Sequence, residues 1–222
     1  MKFYQAFILT AIIGFGFTTL SAQVTQIDLA QTTGEFATTN VDLAEGQYQF
    51  NIINDNVGTD VGFVLVPEGQ YDPANHIKSA YVTAPVANNE SGLTGVVDLE
   101  PGVYEYFCPL NNTPKYTINV KGDVQKVELD QMSGDFKQKS VNVKAGDVQF
   151  EIGNLDVDHV VGFVLVPKGQ YDQANHIPAA YVTAPVAQGK TSLSGIVNLE
   201  PGVYEYFCPM NPTPKYTLTV SE

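Results

Sequence analysis

The sequence predicts an all-β protein of two tandem β-sandwiches. Two observations carry this. First, the chain repeats itself with an offset of 100 residues: Gly62–Pro67 (GFVLVP) returns at Gly162–Pro167, Ala80–Ala87 at Ala180–Ala187, and Leu99–Pro109 at Leu199–Pro209. About 56 of 100 aligned positions are identical without a gap, a period far too long for a solenoid unit and the size of a whole domain. Second, each repeat has short stretches with a two-residue period separated by turn signals, and no long helical pattern.

The stretches follow in order. In Gln47–Ile53 (QYQFNII), Tyr48, Phe50 and Ile52 alternate with Gln47, Gln49 and Asn51, a strand with one buried face. Phe63–Val66 is continuously apolar, as for a strand buried on both sides. Tyr71–Ser79 (YDPANHIKS) breaks the pattern and predicts a loop or one short helical turn. Leu93–Leu99 and Val103–Cys108 flank Glu100-Pro101-Gly102, a turn. Lys115–Val120 puts Tyr116, Ile118 and Val120 on one face.

The repeats divide the chain into 1–22, a leader, 23–122, a first domain, and 123–222, a second domain with almost no linker. Met1–Ala22 has one Lys before a long apolar stretch and ends in Ser21-Ala22. That is the pattern of a cleaved signal peptide; an anchoring helix is the alternative. The chain turns polar at Gln23 with no basic stop-transfer flank, which favours cleavage. Export to a periplasm or the exterior is expected, with no membrane insertion after cleavage.

Identity between the repeats is uneven. It is about 7 of 25 positions from Gln23 to Gln47, and about 49 of 75 from Tyr48 to Gly122.

The chain has 24 acidic residues, 11 Lys and no Arg, a net charge of -13 that becomes about -14 without the leader. Nucleic acid is excluded as a partner, because phosphates need a cationic surface. Anionic membrane surfaces are disfavoured for the same reason. Two Cys exclude a disulfide-dense scaffold.

At Gly102-Val-Tyr104-Glu-Tyr106-Phe-Cys108 the chain resembles the cupredoxins, the blue-copper electron-transfer fold. Tyr104, Tyr106 and Cys108 share one strand face, as do Tyr204, Tyr206 and Cys208. Phe50-x-Ile52-x-Asn54 followed by Phe63-Val-Leu resembles the strand pair that carries the first copper ligand. The resemblance covers most of each repeat and implies Greek-key, cupredoxin-like sandwiches.

The resemblance also implies where copper ligands would stand. A blue-copper site takes two imidazoles, a thiolate and a weak axial thioether. The first His position is here Val61 and Val161, and the second is Asn111 and Asn211. The axial Met position is Tyr116 and Tyr216; only Cys108 and Cys208 keep a ligand type. His159 lies two residues from Val161, about 6.6 Å along a strand, out of reach without a bulge.

Further candidates are His76 and His176 in the Asn-His-Ile loop of each repeat, for a turn contact, a weak metal or partner contact, or a Cys–His pair. A thiol enzyme would need a third orienting group, for which Asn75 or Asn111 is available. Tyr71, Tyr81, Tyr104, Tyr106 and Tyr116, each repeated, suit core faces and an aromatic patch for a partner.

The function expected is a non-catalytic binding or structural module without a standard blue-copper site, and no cofactor. The partner would be an exported protein or envelope component. The alternative is a copper-binding electron-transfer protein with non-standard ligands: Cys108 with His76, Cys208 with His176, or His159.

Overall fold

The structure is a computed structural model that describes residues 24–222; the leader segment lies outside the described residues. Each half contains eight strands in two four-stranded sheets. In the first half these are β1 (Thr25–Thr32), β2 (Glu35–Phe36), β3 (Asn40–Ala44), β4 (Gly46–Asn54), β5 (Val64–Pro67), β6 (Ser91–Leu99), β7 (Gly102–Phe107) and β8 (Tyr116–Lys121). One sheet runs β2-β1-β4-β6 and the other β3-β8-β7-β5. The second half repeats this with β9 (Gln125–Met132), β10 (Asp135–Phe136), β11 (Ser140–Lys144), β12 (Gly146–Asn154), β13 (Val164–Pro167), β14 (Thr191–Leu199), β15 (Gly202–Phe207) and β16 (Tyr216–Ser221). Short 3-10 turns at Pro73–Asn75 and Lys78–Ala80 occupy the loop that broke the strand pattern. Among the described residues no helix is long and apolar enough to cross a membrane.

The chain passes from one sheet to the other between β3 and β4 at Gly46, whose φ of 143° side chains rarely adopt; Gly146 does the same at 127°. In β4 the register against β6 shifts between Gln49 and Asn51. This bulge leaves the Phe50 N–H without a ladder partner, and it donates to Thr94 Oγ1 at 3.0 Å. The second half repeats the device with Phe150 and Ser194. Phe50, Phe63, Phe36 and Tyr106 then meet between the sheets and are all fully buried or nearly so. Tyr48, Ile52, Leu65, Ile118 and Cys108 complete the first core.

The two halves pack asymmetrically. β3 is an edge strand, and its outward backbone groups face the second half. The buried amide of Gln149 takes two of them: its Oε1 accepts from Ala44 N at 3.0 Å and its Nε2 donates to Asp42 O at 2.8 Å. Nε2 also donates to Ser194 O in its own half. Leu193 joins the first half's core. Lys121 pairs with Asp147 at 3.3 Å, and Lys126 Nζ lies 5.2 Å from the centre of the Tyr48 ring.

Glu151 is caught in this seam, accepting from Thr25 Oγ1 at 3.2 Å. Burial raises its pKa above the usual carboxylate value, and the Thr25 hydroxyl only partly opposes this. Its folded pKa therefore exceeds its unfolded one, so stability is highest with the carboxyl protonated. It declines as pH rises from the unfolded carboxylate range through the folded value. Glu151→Gln is expected to be more stable than the parent at neutral pH, with the gain vanishing below about pH 4. Urea titrations at several pH values check this.

Candidate functional site

The site lies at the end of each sandwich where β7 delivers Cys108. The preceding strand fixes its direction, since Tyr106 and Cys108 alternate inward and both are fully buried. Beyond the strand the chain closes a tight loop: Cys108 N donates to Thr113 Oγ1 at 2.9 Å, and Thr113 N donates back to Cys108 O at 3.2 Å. The Cys108 Sγ accepts two backbone N–H groups, from Gly62 at 3.2 Å and Asn111 at 3.3 Å.

Those bonds belong to a closed ring. Gly62 O accepts from Gln31 Nε2 at 2.8 Å, and Gln31 Oε1 accepts from Asn111 Nδ2 at 3.3 Å. Asn111 N returns to the Cys108 sulfur. The Asn111 amide also donates to Thr32 O at 2.8 Å and accepts from Gly34 N at 2.9 Å. The second half carries the same ring through Cys208, Gly162, Gln131 and Asn211. Both Gln side chains are fully buried, and no buried side-chain N or O lacks a partner among the described residues.

Gly62, whose N–H bonds the cysteine at the end of β7, lies in the loop joining β4 to β5, and the two sheets β2-β1-β4-β6 and β3-β8-β7-β5 close over that loop. Each half is a cupredoxin-like sandwich. Comparison with solved structures finds blue copper proteins. Reduced auracyanin from Roseiflexus castenholzii is 17% identical over 44% of this chain and 98% of that chain, with a TM-score of 0.37. Auracyanin A from Chloroflexus aurantiacus is also 17% identical at a TM-score of 0.37, covering 44% of this chain and 99% of that one. A blue copper oxidase from Nitrosomonas europaea spans both halves, covering 89% of this chain and 86% of its own, at 12% identity and a TM-score of 0.33. No family model and no curated protein matches the sequence.

The residues at the cupredoxin ligand positions do not suit copper. Val61 offers no donor atom; it is fully buried and bridges Val86 in both directions at 3.0 and 2.8 Å. Asn111 has its amide oxygen and nitrogen engaged as described above. Tyr116 Oη accepts from Phe36 N at 3.3 Å, and Tyr216 Oη donates to Asp135. The sulfurs are bonded by backbone N–H groups and by no imidazole among the described residues, a poor match to a site that takes two imidazoles. Among the described residues no group of three or more His, Cys, Asp or Glu side chains gathers. Both cysteines are buried free thiols.

The histidines are placed at the surface of this end. His76 Nδ1 lies 2.8 Å from Tyr81 Oη and Nε2 3.3 Å from Tyr71 O, with the ring edge-on to Phe107. His176 makes the same Tyr181 contact at 2.8 Å. His159 sits between two acceptors, Asp158 Oδ1 at 2.8 Å and Met210 O at 3.0 Å. The Asp158 carboxylate, helped by the Met210 carbonyl, raises its pKa. Both ring nitrogens of His159 therefore face oxygen atoms of the protein.

Over Gly62 and Pro109 lies an apolar groove with His76, Tyr81, Val82, Pro85 and Leu110 on its walls; Cys108 does not line it. Leu110 is 57% exposed and its counterpart Met210 45%. Alongside, Tyr71 donates to Glu105 Oε2 at 2.7 Å under the ammonium of Lys115, 4.2 Å from the ring centre. Tyr171, Glu205 and Lys215 repeat that cluster.

Sequence reading passed over Gln31 and Gln131, which close the ring, and did not treat Asn54 as a site residue. Asn54 Nδ2 donates to Thr59 O and Val86 O at 2.8 and 2.9 Å, pinning the loop that carries Val61. The available signal was that Gln31 is among the few identities in the divergent first quarter of the repeat.

Proposed function

We propose that the protein is an exported, non-catalytic binding module that presents two apolar rims, one at the cysteine end of each half, to an exported protein or envelope component. The closed ring of Cys108, Gly62, Gln31 and Asn111 carries this reading. Its polar atoms are spent on one another, so the ring serves as a rigid floor under the exposed Leu110 and Tyr81. Aromatic and long apolar side chains on a rigid base, next to a few hydrogen-bonding groups, are the composition of a contact surface. Two such surfaces in one chain favour avidity where both engage one partner. Export rests on the Met1–Ala22 pattern.

A second reading is copper binding with non-standard ligands. It is favoured by the cysteine that each half keeps at the thiolate position, with two backbone N–H groups donating to its sulfur. Loading the protein lacking its leader with Cu(II), followed by dialysis, separates the two. The expected outcome is no retained copper and no strong visible absorption. A thiolate-to-copper band that disappears in Cys108→Ser/Cys208→Ser would overturn the first reading and establish the second.

A further inference from the structure

The seam between the halves joins two different surfaces: an edge, β3 of the first half, and a receiving face on β12 and β14 of the second. Such a contact is heterologous. Each half carries a copy of both surfaces, so one edge and one face are left over.

The leftover face belongs to the first half and keeps the receiving side chains. Gln49 stands for Gln149, Leu93 for Leu193, and Thr83–Ala87 repeats Thr183–Ala187 without change. In the second half that loop and Thr191–Leu193 line the seam. In the first half the same positions, Thr83–Ala87 and Glu90–Gly92, form an open groove. Leu93 is 41% exposed where Leu193 is 7%. Gln49 bonds only Thr94 O, at 2.8 Å, so its amide oxygen takes no protein partner among the described residues.

The leftover edge, β11, is not kept. Lys144 replaces Ala44, and the Gln125 amide clamps its backbone, accepting from Lys144 N and donating to Lys144 O, both at 2.8 Å. A covered edge with a charge on it is protected from pairing. In the first half Thr25 replaces Gln125, leaving Ala44 N for Gln149.

We infer that the β4–β6 face of the first half is a docking site for an unpaired strand edge of another protein. That edge would offer a backbone N–H at a small residue and a C=O two residues before it, to be read by Gln49, with a basic residue facing Glu90. The internal seam supplies the template for the backbone contacts. The charge follows from Glu90 replacing Lys190, which shares a seam groove with Asp28. A second copy of this chain is the wrong occupant: its edge is capped, and it carries Glu128 at the position of Asp28.

The face is tested by uncapping the chain's own edge as the probe. Gln125→Thr/Lys144→Ala/Glu128→Lys in the protein lacking its leader is expected to associate head to tail in sedimentation velocity, while the parent stays monomeric. Adding Leu93→Asp to the uncapped chain should weaken association by at least about tenfold. As a second measurement, the uncapped chain carrying Leu93→Asp, which has an edge but no face, is mixed with the parent, which has a face but no edge. One-to-one complexes are expected. A folded uncapped chain, checked by its urea midpoint, that stays monomeric at submillimolar concentration overturns the inference. So does association that survives Leu93→Asp, or no complex in the mixture.

Discussion

Gln149→Ala is expected to destabilise the protein by about 3–5 kcal/mol, far more than the same change at Gln49. The parent amide is buried and bonds Ala44 N, Asp42 O and Ser194 O. Alanine leaves these groups without partners, and each buried unsatisfied polar group costs about 1–3 kcal/mol. Gln49 makes one such bond at a half-exposed position, so Gln49→Ala should cost about 1 kcal/mol or less. Urea unfolding of both variants checks the contrast. The Gln149 variant should also lose cooperativity between the halves, giving a broader or two-step transition. Equal effects at the two positions would mean that the seam contributes nothing to stability.

The other large effect is expected at Phe63. Its ring is 2% exposed and packs against three others, with centroids 5.2 Å from Phe50, 5.8 Å from Tyr106 and 6.2 Å from Phe36. Truncating a buried phenylalanine leaves a cavity and costs about 3–5 kcal/mol. In a chain of this size that lowers the melting temperature by roughly 10 °C. Phe163→Ala should behave alike, because Phe163 meets Phe150, Tyr206 and Phe136 in the same way. Phe63→Leu should recover much of the loss by refilling the volume. Calorimetry of the three variants would show it.

Much of the fold was legible in the sequence. The repeat and the continuous buried run at β5 could be read directly, and the alternating strands β4, β7 and β8 with the Tyr106–Cys108 face obey a period of two residues. The alternation holds because one side of those strands meets the core and the other meets water. The strands β1 to β3 were not individually readable. β1 pairs in parallel with β4, and β3 gives its outer edge to the other half. Burial along both is therefore set by neighbours outside the segment.

The same seam explains several of the differences between the repeats. Thr25, Ala44 and Tyr48 serve an interface in the first half, where Gln125, Lys144 and Val148 close an edge or fill a core in the second. At the candidate site, the losses at Val61 and Asn111 could be seen directly from the residue types. The role of Gln31 could not, because its partner Asn111 is 80 positions away and only folding brings them together.

The burial of Cys108 and Cys208 gives the molecule a pair of internal clocks. Each half contains one thiol, both are sealed from solvent, and the described residues contain no other cysteine. A thiol reagent can reach either sulfur only after its own half opens. At reagent concentrations where labelling outpaces reclosing, the rate at each sulfur reports the opening frequency of the half that holds it. Followed by mass spectrometry on the single-cysteine variants, the two rates would resolve how two copies of one fold divide their stability when only one has its receiving face covered.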